Sequence, residues 1–359
     1  MILLALALAA AAHPHPSRAS APPSLSQRER GKTPKAAKGE GDAIDAVARR
    51  YALAGELLVA KGDRIVLHRA YGTIAPTGGA RHKVGERWRL ASVTKQVTAT
   101  AIMRMVARGD LALDTPLPVS AGSPLSGLTP RMLLTHHSGL ANPDATPKDA
   151  FGVPGFYTAR TIDQGYCTSK PARPGAAFDY NNCDFLLLGD LLDAGEGEAG
   201  ERDNALWPGE FATADTQRRS VPGFVGGKPE PAFNLATYAT AGGLLGTARA
   251  LYDFDRALMT GKLLPASARE ELWEPEGNGS YQALGQWVFP GRLAGCTAPK
   301  RIVQRDGEIA GVQVRNFILP DNDIVAIVFT NRSSDDFAIG EVWQGKGFSH
   351  DLLSAAACA

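Results

Sequence analysis

This 359-residue chain has little charge imbalance: Lys+Arg is 38 and Asp+Glu is 37, a net charge of +1. Without a basic field or an acidic block, nucleic acid is not an expected partner. No apolar run is long enough to cross a bilayer; the longest, Ile2 to Ala12, falls well short of a spanning helix. No stable membrane span is expected. The chain has no H-E-x-x-H, and its four cysteines match no zinc spacing, so neither a metal nor another cofactor is expected. No G-x-S-x-G elbow occurs, which disfavours an α/β-hydrolase. No internal repeat is visible.

What is present is a globular composition, 44% hydrophobic, with room for one large domain. Residues 1–12 have the length and small-residue exit of a signal peptide. No Lys or Arg precedes the apolar run, so only the α-amine supplies positive charge. The expected location is periplasmic or secreted. Residues 13–40, rich in Pro, Ser, Ala, Lys and Arg, read as a disordered linker. Residues 41–359 read as one domain.

In an exported chain, Cys167, Cys183, Cys296 and Cys358 suggest two disulfides, with three possible pairings. Cys167–Cys183 with Cys296–Cys358 is the preferred one: it closes a short loop and pins the C-terminus. Four buried free thiols are the alternative.

Residues 43–53 pattern as an amphipathic helix. Glu56–Ala60 and Arg64–His68 read as a hairpin around Lys61-Gly62-Asp63. A helix follows Ser92, with an apolar stripe of Val97, Ala101, Ile102, Met105 and Val106, and Gly109 stops it. Residues 111–270 read as mainly helical, with no convincing strand. Strands return at Leu284–Phe289, Arg301–Gln304, Val312–Leu319 and Ile324–Thr330, and a closing helix is expected over Phe337–Ala357. The expected fold class is therefore α/β: an antiparallel sheet from 41–110 and 271–359, flanked by helices, with an inserted helical region.

The chemistry centres on Ser92-Val93-Thr94-Lys95, the only S-x-x-K in the chain. At i and i+3 on a helix the two side chains share a face. An amine beside a hydroxyl supplies the base that serine needs as a nucleophile. Tyr180-Asn181-Asn182 is the only Y-x-N. A tyrosine near a cation is biased toward phenolate and can relay protons. His136 and His137 are adjacent, so they point apart on most backbones and are not read as a metal pair or catalytic histidines.

Taken in order, Leu90–Gln96, Leu133–Leu140, Pro174–Asn182, Ala241–Ala248 and Pro320–Arg332 resemble the serine β-lactamase and penicillin-binding protein superfamily. The similarity is to its class C β-lactamase, esterase and D-aminopeptidase branch, and covers roughly residues 43–355. The resemblance implies a β-lactamase/transpeptidase-like fold and an acyl-enzyme on Ser92. Lys95 and Tyr180 would move the proton, and Asn182 would hold Lys95 and the substrate. The third motif departs from the family pattern of K-T-G or H-x-G. Arg305-Asp306-Gly307 stands there.

Gly307 would let substrate approach the backbone. Arg305 would offer a cation to a carboxylate. The backbone N–H of Glu308 would join that of Ser92 in an oxyanion hole. Asp306 stands where a hydroxyl helps hold a carboxylate, which disfavours β-lactams and D-alanyl termini. The expected activity is therefore a serine acyl hydrolase acting on a small-molecule ester, amide or D-peptide substrate. A class C-type β-lactamase or DD-carboxypeptidase is the alternative. A non-catalytic penicillin-sensor-like domain is a third reading, weakened by the intact Ser92, Lys95 and Tyr180.

Overall fold

The computed structural model describes residues 38–195, 210–277 and 279–358. The leader 1–12 and linker residues 13–37 lie outside the described residues. The rest of the expected linker, 38–40, is already helical: α1 spans Lys38–Arg50. Glu40 in its first turn pairs with Arg64 at 2.8 Å, which anchors the helix on the neighbouring strand. The helix also ends earlier than the sequence pattern suggests.

After α1 come β1 (Gly55–Lys61) and β2 (Arg64–Tyr71). β3 (Trp88–Arg89) precedes a tight turn, Ala91–Val93, and α2 (Thr94–Arg108). The middle of the chain holds α3 (Pro130–Leu134), α4 (Gln164–Cys167), α5 (Asn182–Gly195), β4 (Glu210–Phe211) and α6 (Ala214–Arg218). It continues with β5 (Phe224–Val225), β6 (Lys228–Pro229), α7 (Ala239–Gly242), β7 (Leu244–Gly246), α8 (Ala248–Met259) and α9 (Ala266–Leu272). β8 (Gln282–Ala283), β9 (Gln286–Gly291), β10 (Lys300–Ile309), β11 (Val312–Leu319), β12 (Ile324–Thr330) and α10 (Phe348–Ala357) follow.

The main sheet is antiparallel, in the order β2-β1-β12-β11-β10-β9-β8. β11 and β12 lie at its centre and are buried along their whole length. Their side chains alternate between two cores, as the twofold period of a strand requires. Val325, Ile327 and Phe329 face α2, α5 and α8. Ile324, Ala326 and Val328 face α1 and α10. With both faces covered, β12 reads as a continuous apolar run, whereas β11 also buries Gln313, Arg315 and Asn316.

Four sequence expectations need correction. The region 111–270 contains strands: β7 pairs with both β3 and β4, and β5 pairs with β6. Each is two or three residues long, too short for an alternation to show. The strand expected over Leu284–Phe289 is β9, shifted to Gln286–Gly291, because Gly285 at φ +74° turns the chain between it and the short β8 that precedes it. β10 runs to Ile309, beyond the apolar stretch that ends at Val303. The closing helix starts at Phe348 rather than Phe337, because Gly345 (φ +66°) and Gly347 (φ +95°) break it.

Gly109 does stop α2, in the left-handed conformation at φ +81°, its N–H bonded to the carbonyls of Met105 and Val106. Both preferred disulfides are present, Cys167–Cys183 and Cys296–Cys358. Among the described residues no helix is long and apolar enough to cross a membrane.

Candidate active site

Ser92 sits in the tight turn between β3 and α2. The preceding Ala91 takes φ +44°, a conformation costing a non-glycine residue of order 1–3 kcal/mol. The turn brings Ser92 to the N-terminus of α2, where free N–H groups favour developing negative charge. α2 itself is unusually enclosed. Thr94, Lys95, Gln96, Thr98 and Thr100 are all buried, so its polar residues point into the molecule.

Lys95 is fully buried. Its amine donates to Asn182 Oδ1 at 2.6 Å and to the Ala241 carbonyl at 2.7 Å. A third, longer contact reaches Ser92 Oγ at 3.4 Å. Tyr180 is closer to the serine: its hydroxyl donates to Oγ at 2.7 Å. The Lys95 amine also lies 4.8 Å from the centre of the Tyr180 ring. Asn182 begins α5, which follows directly on the Tyr180 segment. Ser92, Lys95, Tyr180 and Asn182 thus converge.

Arg305 enters from β10. It is 1% exposed and spends its donors inside the site. Nε donates to the Ser92 carbonyl at 3.0 Å, and one terminal nitrogen to the Tyr180 hydroxyl at 2.6 Å. Nη1 has no partner. The sequence pictured this cation facing a substrate carboxylate; its observed bonds go to the serine backbone and the tyrosine. Gly307 follows on the same face of the strand. A Cβ there would lie 2.6 Å from the Leu90 carbonyl oxygen and 2.9 Å from the Ser92 nitrogen. The next residue, Glu308, has an exposed side chain that accepts from the Ser334 N–H at 3.0 Å.

Asp306 occupies the other face of β10. It accepts from the Trp287 indole N–H at 2.8 Å and stands opposite Arg315 in the strand register. Burial pushes its carboxyl up, but Arg305, Arg315 and the Trp287 bond outweigh burial and leave it below the usual value. It is an anion.

Burial lowers the Lys95 amine well below its ordinary value, and the Arg305 charge lowers it further. Burial raises the Tyr180 phenol, with Arg305 and the Ser92 bond opposing. These groups lie in one hydrogen-bonded cluster, so their titrations belong to the cluster.

The sequence reading missed several neighbours. Tyr157 is 1% exposed and its hydroxyl accepts from Asn182 Nδ2 at 2.6 Å. It stacks on Tyr238 at 4.0 Å. His136 is buried 4.5 Å from the Tyr180 ring centre. Its Nδ1 accepts from the Asn181 N–H at 3.2 Å and lies 3.1 Å from Asp184 Oδ2. Burial raises Asp184 and lowers His136, each toward its neutral form, and the His136 bond to the Asn181 N–H supports the Tyr180 segment. His137 points away, toward Thr135. Among the described residues no group of three or more His, Cys, Asp or Glu is placed to hold a metal. Only Leu133–Leu140 as a segment hinted at this support; Tyr157 had no motif to announce it.

The chain matches known proteins across this whole arrangement. The family model described as Beta-lactamase matches residues 42–343. The esterase EstB of Burkholderia gladioli is 29% identical over 223 residues, covering 53% of this chain and 55% of the esterase. The D-alanyl-D-alanine-carboxypeptidase/endopeptidase AmpH of Escherichia coli K12 is 31% identical over 152 residues, covering 40% of this chain and 39% of that protein. The chain thus spans about half the length of the first of these relatives and less of the second. The D-amino acid amidase of Ochrobactrum anthropi SV3, solved with D-phenylalanine, superposes with a TM-score of 0.67 at 17% identity, covering 88% of this chain and 98% of the amidase. That likeness is one of fold. With the family matched over most of its length, the chain belongs to the β-lactamase family of serine hydrolases.

Proposed function

We propose that this protein is a serine acyl hydrolase that forms an acyl-enzyme on Ser92 and acts on small esters or amides, D-amino-acid peptides included. The observation that carries this reading is Ser92 Oγ itself, held at 2.7 Å by the Tyr180 hydroxyl and 3.4 Å from the Lys95 amine. A serine so placed has a base, Lys95, on one side and a hydroxyl that can relay protons, Tyr180, on the other.

The serine proton passes to the Lys95–Tyr180 couple as Oγ bonds to the substrate carbonyl carbon. Arg305, bonded to the Tyr180 hydroxyl, supports the phenolate form. The carbonyl π electrons move to oxygen, which the N–H groups of Ser92 and Glu308 stabilise. Collapse of that adduct breaks the ester C–O or amide C–N bond. The leaving alcohol or amine takes the proton back from the couple. Water then attacks the acyl-enzyme, giving its proton to the same couple, and Ser92 leaves as the hydroxyl.

Two features favour esters and small amides over β-lactams. Arg305 donates to the Ser92 carbonyl and the Tyr180 hydroxyl, and Asp306 adds a negative charge to the strand that faces the serine. The curated relatives include an esterase and a D-alanyl-D-alanine carboxypeptidase; their named substrates set the range proposed for this chain. Two disulfides fit an exported protein, so a periplasmic or secreted location is part of the proposal.

The test incubates the protein and Ser92→Ala with an activated short-chain ester and, separately, with a fluorescent penicillin. Ester turnover that Ser92→Ala reduces by at least about 1,000-fold, without penicillin labelling, is the expected result. Rapid penicillin hydrolysis or a stable adduct would favour the β-lactamase or carboxypeptidase reading instead. Equal ester turnover by Ser92→Ala would end the proposal.

A further inference from the structure

The Lys95 amine is one end of a hydrogen-bond line that leaves the site. Because Asn182 Oδ1 accepts from Lys95, the orientation of that amide is fixed and its nitrogen faces outward. It donates to the Tyr157 oxygen at 2.6 Å. The phenol must then turn its own hydrogen elsewhere, and it donates to Asp144 Oδ1 at 2.7 Å. Every donor points the same way, from the buried amine toward an exposed carboxylate. Bonds aligned in this manner polarise one another.

The short turn Pro143–Ala145 carries Asp144. The preceding Asn142 donates to the Tyr180 carbonyl at 2.9 Å. Its side-chain oxygen accepts from the Asp144 N–H at 3.1 Å. One turn therefore touches both arms of the proton couple.

We infer that Asp144 is a positioning residue for Lys95, acting through Tyr157 and Asn182 to hold the amine in place and support its charged form. This rests on the acyl-hydrolase reading above. The charges around Lys95 come from several elements. Arg305 on β10 opposes the ammonium; Asp306 on β10, Asp184 on α5 and Asp144 favour it. His136, in the segment before Ser138, also faces it; burial lowers its imidazole and the Lys95 charge lowers it further. Burial drives Asp184 toward its neutral form, and Asp306 is tied to Trp287. Asp144 is the carboxylate wired to the amine.

The experiment measures kcat/KM against pH on an activated ester for wild type, Asp144→Asn, Tyr157→Phe and the double variant. Asp144 is exposed and Asn preserves its shape; Phe preserves the stack on Tyr238. Losing the anion weakens the charged amine, so the acidic limb moves to lower pH, by about half a unit for an indirect contact of this kind. Tyr157→Phe cuts the same line and gives a similar shift. The double variant shifts no further than the larger single change, because the two residues act as one unit. Asp144→Glu restores most of the wild-type limb.

Unchanged limbs in both single variants overturn the inference. A shift in Asp144→Asn alone, or shifts that add in the double variant, overturns the route through Tyr157. Ser92→Ala separates the two levels. If it stays active, the acyl-enzyme reading falls; if it is inactive while the limbs coincide, only the role of Asp144 falls.

Discussion

Gly307 approaches Ser92 so closely that a Cβ would fall 2.9 Å from the serine nitrogen. The Leu90 carbonyl oxygen at 2.6 Å and the Val314 Cγ1 at 2.8 Å are also in the way. The two backbone atoms do not yield as a flexible side chain would. Gly307→Ala is expected to push β10 off the serine turn and displace the proposed oxyanion donors. A loss of about 100-fold in kcat with retained secondary structure is the expected result, measured by ester kinetics and circular dichroism. Wild-type kcat in this variant would show that the strand does not take part.

Tyr180→Phe keeps the ring against His136 and removes the hydroxyl nearest Ser92 Oγ. A fall in kcat of about 10²–10⁴ with little change in KM is expected. Single-turnover kinetics locate the loss in acylation. A variant slowed only in KM would assign Tyr180 to binding.

Asp306 gives a substrate-side prediction. Asp306→Thr removes the anion and supplies a hydroxyl at the strand position where the family pattern carries one. Labelling by a fluorescent penicillin is expected to rise at least about tenfold, since one charge pair removed is worth of order 1 kcal/mol or more. Labelling that stays at the wild-type level would mean that Asp306 does not set the β-lactam preference.

Asp255 on α8 is fully buried and accepts from Asn316 Nδ2 at 2.9 Å. Its Oδ2 has no partner. Burial raises its carboxyl well above the usual value, against the Asn316 bond. The folded state therefore holds a proton that the unfolded state releases near pH 3.8. Stability falls as pH rises from that value through the folded-state pKa. Asp255→Asn removes the slope. Its Tm is expected to exceed wild type by roughly 2–4 °C at pH 7 for each kcal/mol gained, with a smaller difference near pH 4. A Tm difference independent of pH would refute the account.

The disulfides are separated by 16 and 62 residues. On chain-entropy grounds they contribute about 3 and 4 kcal/mol. Cys167–Cys183 also ties α4 to the residue after Asn182. Reduction is expected to lower Tm and cut activity, with Cys183→Ser the more harmful change for kcat and Cys358→Ser for stability. Equal effects on both quantities would argue against this division.

The legible parts of the fold were those whose pattern serves packing alone. β12 carries an apolar run, Ile324–Phe329, and β11 ends in one, Phe317–Leu319, around the Pro320–Asp323 turn; both strands begin and end where the sequence places them. The second half of β10 was hidden because its residues break the apolar pattern: Arg305 turns to Ser92 and Tyr180, Asp306 to Trp287 and Glu308 to Ser334. Ser92, Lys95, Tyr180 and Asn182 were legible as motifs. Asp144 and Tyr157 were not, because their relation to Lys95 exists only in space. The buried polar line Gln96–Asn316–Asp255 was equally invisible; nothing in its spacing separates a buried amide from an exposed one.

The register of β1 has a consequence for synthesis. Gly55 pairs with Thr330, and Lys61 with Ile324, so the first strand waits for the last one among the described residues. No ribosome-bound fragment that lacks β12 has a centre for its sheet, and contacts this distant along the chain form slowly. The N-terminal hairpin therefore emerges without a partner on its inner edge. A sheet with this register closes only once residues 324–330 are present.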